Sequence, residues 1–179
     1  IEHPAGYYSQ RSLVQGEIII VTEGSFLLSF EHFFDRAIGQ GEILLLSPGS
    51  KIKARTEVGV SAFIFRLNGE ERLCDNFPFE CLNEEKLDFE YDLNTLRINN
   101  MTKDFLVFFQ RNYRNGLRCT QFLEMKVKEL LFLFRAYYPK KDLAAFFYPL
   151  LSKDSHFMNY VLRNYQGVKT VGEFAARYG

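Results

Sequence analysis

The sequence has no tryptophan, only three histidines, three cysteines and five prolines, and no long apolar run. Each shortage excludes something. His3, His32 and His156 stand in separate segments and form no His-x-His pair, which excludes a metal centre built on that spacing. Cys74, Cys81 and Cys119 are odd in number and make no Cys-x-x-Cys pair. That pattern fits free thiols in a reduced, cytoplasmic protein rather than a disulfide framework. No stretch is long enough to cross a bilayer and no signal peptide is visible, so no membrane partner is expected. A glycine-rich phosphate loop and a G-x-S-x-G elbow are also missing. Without a catalytic constellation the chain is not read as an enzyme, and no catalytic residue, cofactor or metal is assigned.

What remains is a well-filled chain. Its 179 residues are 47% hydrophobic, with 19 phenylalanines available for packing or for an apolar cavity. The net charge is zero but divides sharply. Residues 1–96 hold 8 Lys/Arg against 16 Asp/Glu, and residues 97–179 hold 14 against 6. A basic second half points either to a nucleic-acid partner or to two halves that attract each other. The chain begins with Ile and stops inside a helical pattern, which suggests a piece of a longer protein.

The first half reads as short strands with Gly or Pro punctuation. Residues 1–15 form an arm or a first edge strand. Glu17 to Thr22 is a buried strand, Glu23-Gly24 a turn, and Ser25 to Phe33 an alternating strand. Asp35 to Gly41 connects to a buried strand at Glu42 to Ser47, and Pro48-Gly49-Ser50 turns the chain. Lys51 to Arg55 and Val60 to Leu67 follow, with a weaker strand at Phe79 to Leu82 in an acidic stretch. This spacing predicts an antiparallel barrel or sandwich.

The character changes near Asn99. Asn100 or Thr102 caps a helix that Asn115-Gly116 stops, and a second helix runs from Thr120 to Tyr138. Phe122, Val127, Leu130, Leu131 and Phe134 lie on its apolar face, with Lys126, Lys128 and Glu129 on the other. That apolar face packs on the sheet or meets a second copy of the chain. Residues 140–153 read as a connector broken by Pro149. From Asp154, Phe157, Met158, Val161, Leu162 and Tyr165 recur at helical spacing up to Gly167. Thr170 and Glu173 then form a capping box. Ala175, followed four residues later by Gly179, suits the first helix of a helix-turn-helix.

Polar residues facing into such a barrel are the candidates for holding a small molecule. Ser29, Glu31 and Arg66 qualify, with Tyr8 if the arm folds over the barrel mouth.

Taken together, the stretches Gly39 to Gly49 (GQGEILLLSPG) and Phe157 to Gly179 (FMNYVLRNYQGVKTVGEFAARYG) resemble AraC/XylS-type transcriptional regulators. The resemblance covers essentially the whole chain. It implies an α+β fold: a cupin-like sensor barrel over 1–98, an antiparallel helix pair over 99–139, a connector over 140–153, and the truncated start of a helix-turn-helix DNA-binding domain over 154–179. It further implies a small-molecule effector, a homodimer through the helix pair, and DNA binding only in the full-length protein. Thr170, Glu173, Ala175 and Gly179 would be the stub of the first DNA-binding motif. One departure stands out. Many cupins carry a histidine shortly after the Pro-Gly turn, and Ile52 falls there instead, which disfavours a metal-dependent cupin enzyme. The competing reading is a stand-alone cupin-like enzyme or metabolite-binding protein with a helical appendage.

Overall fold

The computed structural model describes residues 1–31, 33–67 and 93–151. The expected strand at Phe79 to Leu82, His32, and the helices from Asp154 onward lie outside the described residues. In chain order the elements are β1 (Glu2–His3), β2 (Tyr8–Ser12), β3 (Gly16–Phe30), β4 (Phe33–Gly39), β5 (Glu42–Leu46), β6 (Lys51–Arg55), β7 (Val60–Leu67), β8 (Leu96–Arg97), α1 (Asn100–Arg114), α2 (Thr120–Tyr137) and α3 (Lys140–Leu151).

Strand β3 organises the barrel. Its first half lies between β5 and β7, and its second half lies between β4 and β6, all antiparallel. One layer thus runs β1-β7-β3-β5-β8, and the other runs β4-β3-β6-β2. The turn expected at Glu23-Gly24 is instead a bend within one continuous strand. The register slips between Val21 and Glu23, and Gly24 takes φ +69°. A side chain at Gly24 would put its Cβ 2.1 Å from the Gly59 carbonyl oxygen, so only glycine allows the strand to cross there. The expected connection from Asp35 to Gly41 is a second correction. Most of it is β4, which returns along β3 after the tight turn at Glu31.

The first layer is apolar on both faces, which explains its unbroken runs of Ile and Leu. Ile19, Val21, Leu44 and Leu46 point into the barrel with Leu28, Phe30 and Ile52. Ile18, Ile20, Ile43 and Leu45 point the other way, onto Phe105, Leu130, Leu131, Phe134 and Phe146 of the helices. The phenylalanines supply this second core. Phe65 on β7 meets Phe105 and Phe109 on α1 at 5.8 and 5.2 Å, and Phe109 stacks on Phe122 of α2 at 6.1 Å.

Helix α1 is capped one residue earlier than expected. The Asn99 side chain accepts from the Thr102 amide at 2.8 Å, and Thr102 itself is buried. Residues 140–151 are a helix rather than a connector. Pro149 lies within it, and Leu143, Ala144, Phe146 and Phe147 are buried. Lys126, expected on the solvent side of α2, is also buried. Its ammonium bonds Glu129 at 2.5 Å and lies 4.6 Å from the Phe108 ring and 5.7 Å from those of Phe105 and Phe122.

Tyr138 ties the end of α2 to the sheet. Its hydroxyl donates to the Arg97 carbonyl at 2.6 Å and lies 3.4 Å from the Thr102 hydroxyl. Burial raises its pKa above the ordinary tyrosine value, against a smaller lowering by the bond to Thr102. The folded chain therefore holds this phenol proton more tightly than the unfolded chain. Its contribution is complete below about pH 10, where the unfolded tyrosine titrates, and is lost as pH rises through the folded value. Tyr138→Phe should flatten the alkaline fall in stability, measured as the urea midpoint at about pH 8 and about pH 11. An unchanged alkaline slope would contradict this assignment.

Candidate functional site

Three strands bring charged side chains to one end of the barrel interior. Glu17 continues the inward set of Ile19 and Val21 one step further along β3. Its cross-strand partner on β7 is Arg66, in the same inward series as Ala62 and Ile64. On β2, Arg11 pairs with the inward-facing Ile52 of β6. The three meet as one ionic group. Arg11 donates from Nη1 and Nη2 to the two Glu17 carboxylate oxygens at 2.8 and 2.5 Å, and Arg66 Nε donates to Oε1 at 3.2 Å.

Burial is unequal across this group. The Glu17 side chain is 3% exposed, Arg11 36% and Arg66 64%. One buried carboxylate is thus covered by two guanidinium groups that reach solvent, and the three-residue group carries one net positive charge. The bond from Glu17 raises the Arg11 pKa further, so this cation stays charged at any pH at which the chain is folded. Nearby, Leu13 exchanges backbone hydrogen bonds with Ser50 and Gly49, closing the loop over this end.

Of the four residues expected to face a ligand, only Arg66 belongs to this group. Tyr8 lies on the outer face of β2, paired with Arg55, and its hydroxyl bonds Gln10. Ser29 pairs with the exposed Lys53 and bonds Asp35, so it is also outside. Glu31 sits exposed in the β3–β4 turn with φ +50°. The reason is parity. Phe26, Leu28 and Phe30 take the interior, which turns Ser29 outward. Glu17 and Arg11 were missed, although extending the Ile19–Val21 alternation back by two residues points to Glu17.

The residues expected to form the dimer are also placed elsewhere. Phe122, Val127, Leu130, Leu131 and Phe134 are all buried within one protomer, in the core shared by the helices and the sheet. The exposed face of α2 carries Met125 and Phe132 instead, at 56% and 51% exposure, beside Phe108 of α1 at 54%. Among the described residues no group of three or more His, Cys, Asp or Glu is arranged to hold a metal ion. No described helix is long and apolar enough to cross a membrane.

Among solved structures, ToxT from Vibrio cholerae O395, bound to (E)-4-(8-methylnaphthalen-1-yl)but-3-enoic acid, aligns with 99% of this chain and 68% of its own. The TM-score is 0.56 and the identity 11%. The chain shares its fold with ToxT. A second ToxT structure, from Vibrio cholerae strain SCE256 with an unsaturated fatty acid bound, gives a TM-score of 0.54 at 13% identity over 99% of this chain and 66% of that one. A cupin with a double-stranded β-helix fold from Methanocaldococcus jannaschii aligns over 36% of this chain and 62% of its own, at 16% identity and a TM-score of 0.34. No family model and no curated protein matches the sequence. The fold is α+β, an N-terminal barrel of antiparallel strands followed by packed helices. The chain spans about two thirds of the ToxT chains it resembles.

Proposed function

We propose that this chain is the sensing and dimerising region of a cytoplasmic AraC-type transcription regulator, and that it is not an enzyme. The supporting observation is the fold it shares, barrel and helices together, with ToxT, an AraC-family regulator. In this reading the barrel takes a small-molecule effector, and the two ToxT complexes favour an apolar carboxylic acid. The first β-layer gives a physical route from barrel to helices. Alternate residues of β3 and β5 touch the two cores, so a change in barrel packing is felt by α1, α2 and α3 through a single sheet. In this reading DNA binding belongs to the full-length regulator, whose recognition helices would make the base contacts.

The dimer in this reading forms through the exposed seam of α1 and α2 rather than through the buried positions. Met125 and Phe132 are seven residues apart on one stripe of α2, with Lys128 and Glu129 between them. An antiparallel meeting of two α2 helices about a twofold axis would set Met125 against the partner copy's Phe132 and Lys128 against the partner copy's Glu129. The surface is therefore self-complementary, as an isologous interface must be. Met125→Glu with Phe132→Glu should weaken self-association at least about tenfold, equivalent to about 1.4 kcal/mol, while leaving the thermal midpoint of the monomer unchanged. Sedimentation equilibrium measures the first and circular dichroism the second. A monomeric parent protein, or a double variant that dimerises as well as its parent, would refute the assignment.

A further inference from the structure

The ionic group at the barrel end has the form of an occupied binding site. A ligand carboxylate held by arginine receives a two-pronged bond from one guanidinium and a further bond from another. Glu17 receives this same set from Arg11 and Arg66, at the end of an otherwise apolar interior. Among the described residues Arg66 bonds Glu17 through Nε, and its side chain is 64% exposed. The bond has a structural consequence too. Among the described strands β2 pairs only with β6, and the Arg11–Glu17 contact is a polar tie from it to the first layer.

We propose that Arg11 and Arg66 form a carboxylate cradle which the chain fills with its own Glu17, and that β2 is the strap this internal occupant holds down. The ligand class of the cradle is a carboxylate. An external one enters only by displacing Glu17, and displacement loosens β2. The cradle stands on its own geometry. Only the identification of the displacing acid with the regulator's effector rests on the sensor reading above.

Chemical rescue tests the cradle directly. Glu17→Ala removes a fragment the size of acetate, so acetate or propionate can enter the vacated place. The variant should melt lower than the parent. Propionate at about 50 mM, against chloride at equal ionic strength, should recover at least about half of the lost melting temperature through preferential binding to the folded state. The parent, already filled, should not respond. Glu17→Ala with Arg11→Ala should not respond either, because the two-pronged partner is gone. Hydrogen exchange of the Tyr8 to Ser12 amides supplies a readout local to the strap. It should speed up in Glu17→Ala and slow again with propionate.

Should Glu17→Ala fail to fold alone, refolding yield with and without propionate takes the place of the melting curve. No gain in yield overturns the proposal. So does a folded Glu17→Ala that ignores propionate, or a rescue that persists without Arg11. These outcomes concern anion binding by this chain alone, so they are distinguishable from failure of the sensor and dimer reading, which is decided by self-association and DNA occupancy.

Discussion

Arg11→Met should destabilise the fold by about 3 kcal/mol, a large share of the stability of a domain this size. The reason is the burial of its partner. Without Arg11, the Glu17 carboxylate keeps, among the described residues, only the Arg66 Nε bond, at 3.2 Å from a side chain that is mostly in solvent. A buried charge stripped of its main partner costs more than the pair contributed. Glu17→Gln leaves two arginines that can reach water, and should cost about 1–2 kcal/mol. The order of the two variants is the informative part. Urea denaturation should rank Arg11→Met as the more damaging, and Arg11→Met combined with Glu17→Met should recover part of the loss, because no lone charge is then buried. If Glu17→Gln proves the worse of the two, the carboxylate is not the costly buried member.

Phe134→Ala should cost about 3–5 kcal/mol. Phe134 is fully buried and meets Tyr138 at 5.5 Å and Phe146 at 5.8 Å, so it joins α2 to α3 as well as to the sheet. A cavity there has rigid walls on several sides and cannot collapse cheaply. Phe134→Leu keeps most of the apolar volume and should cost much less. The measurement also separates two accounts of this helix. If Phe134→Ala leaves monomer stability intact and only dissociates a dimer, Phe134 is an interface residue, as its place on the apolar stripe first suggested. Loss of monomer stability at every protein concentration is the result its burial predicts.

The sequence was most readable where one physical cause acts alone. The runs EIIIVT and EILLLS are apolar on both faces of the first layer; they mark the start of β3 and the whole of β5 to within a residue, though β3 continues past Thr22 to Phe30. The caps and breakers around α1 and α2 marked those helices nearly as well, with Asn99 rather than Asn100 or Thr102 as the cap. Misreadings came where tertiary contacts override local chemistry. Glu23-Gly24 has turn composition, yet Gly24 is there so that β3 can pass the Gly59 carbonyl. Pro149 suggested a break, yet α3 runs through it to Leu151. Lys126 reads as a solvent residue, yet three phenylalanine rings and Glu129 hold its ammonium in the seam. The candidate site was the least readable feature. It needs the parity of β2, β3 and β7 at once, and β2 was not separable from an arm. Arg66 was found on its own, while its two partners, 49 and 55 positions away in sequence, came together only in the fold.

The central claim is that this chain joins two copies of a DNA-binding domain through its helices. It is tested most directly by fusing the chain to a heterologous helix-turn-helix domain that occupies its operator only as a dimer, and measuring occupancy in solution. The parent fusion should fill the operator, and Met125→Glu with Phe132→Glu should empty it at the same protein concentration. An operator that stays empty with the parent chain, or stays full with the double variant, would contradict the account.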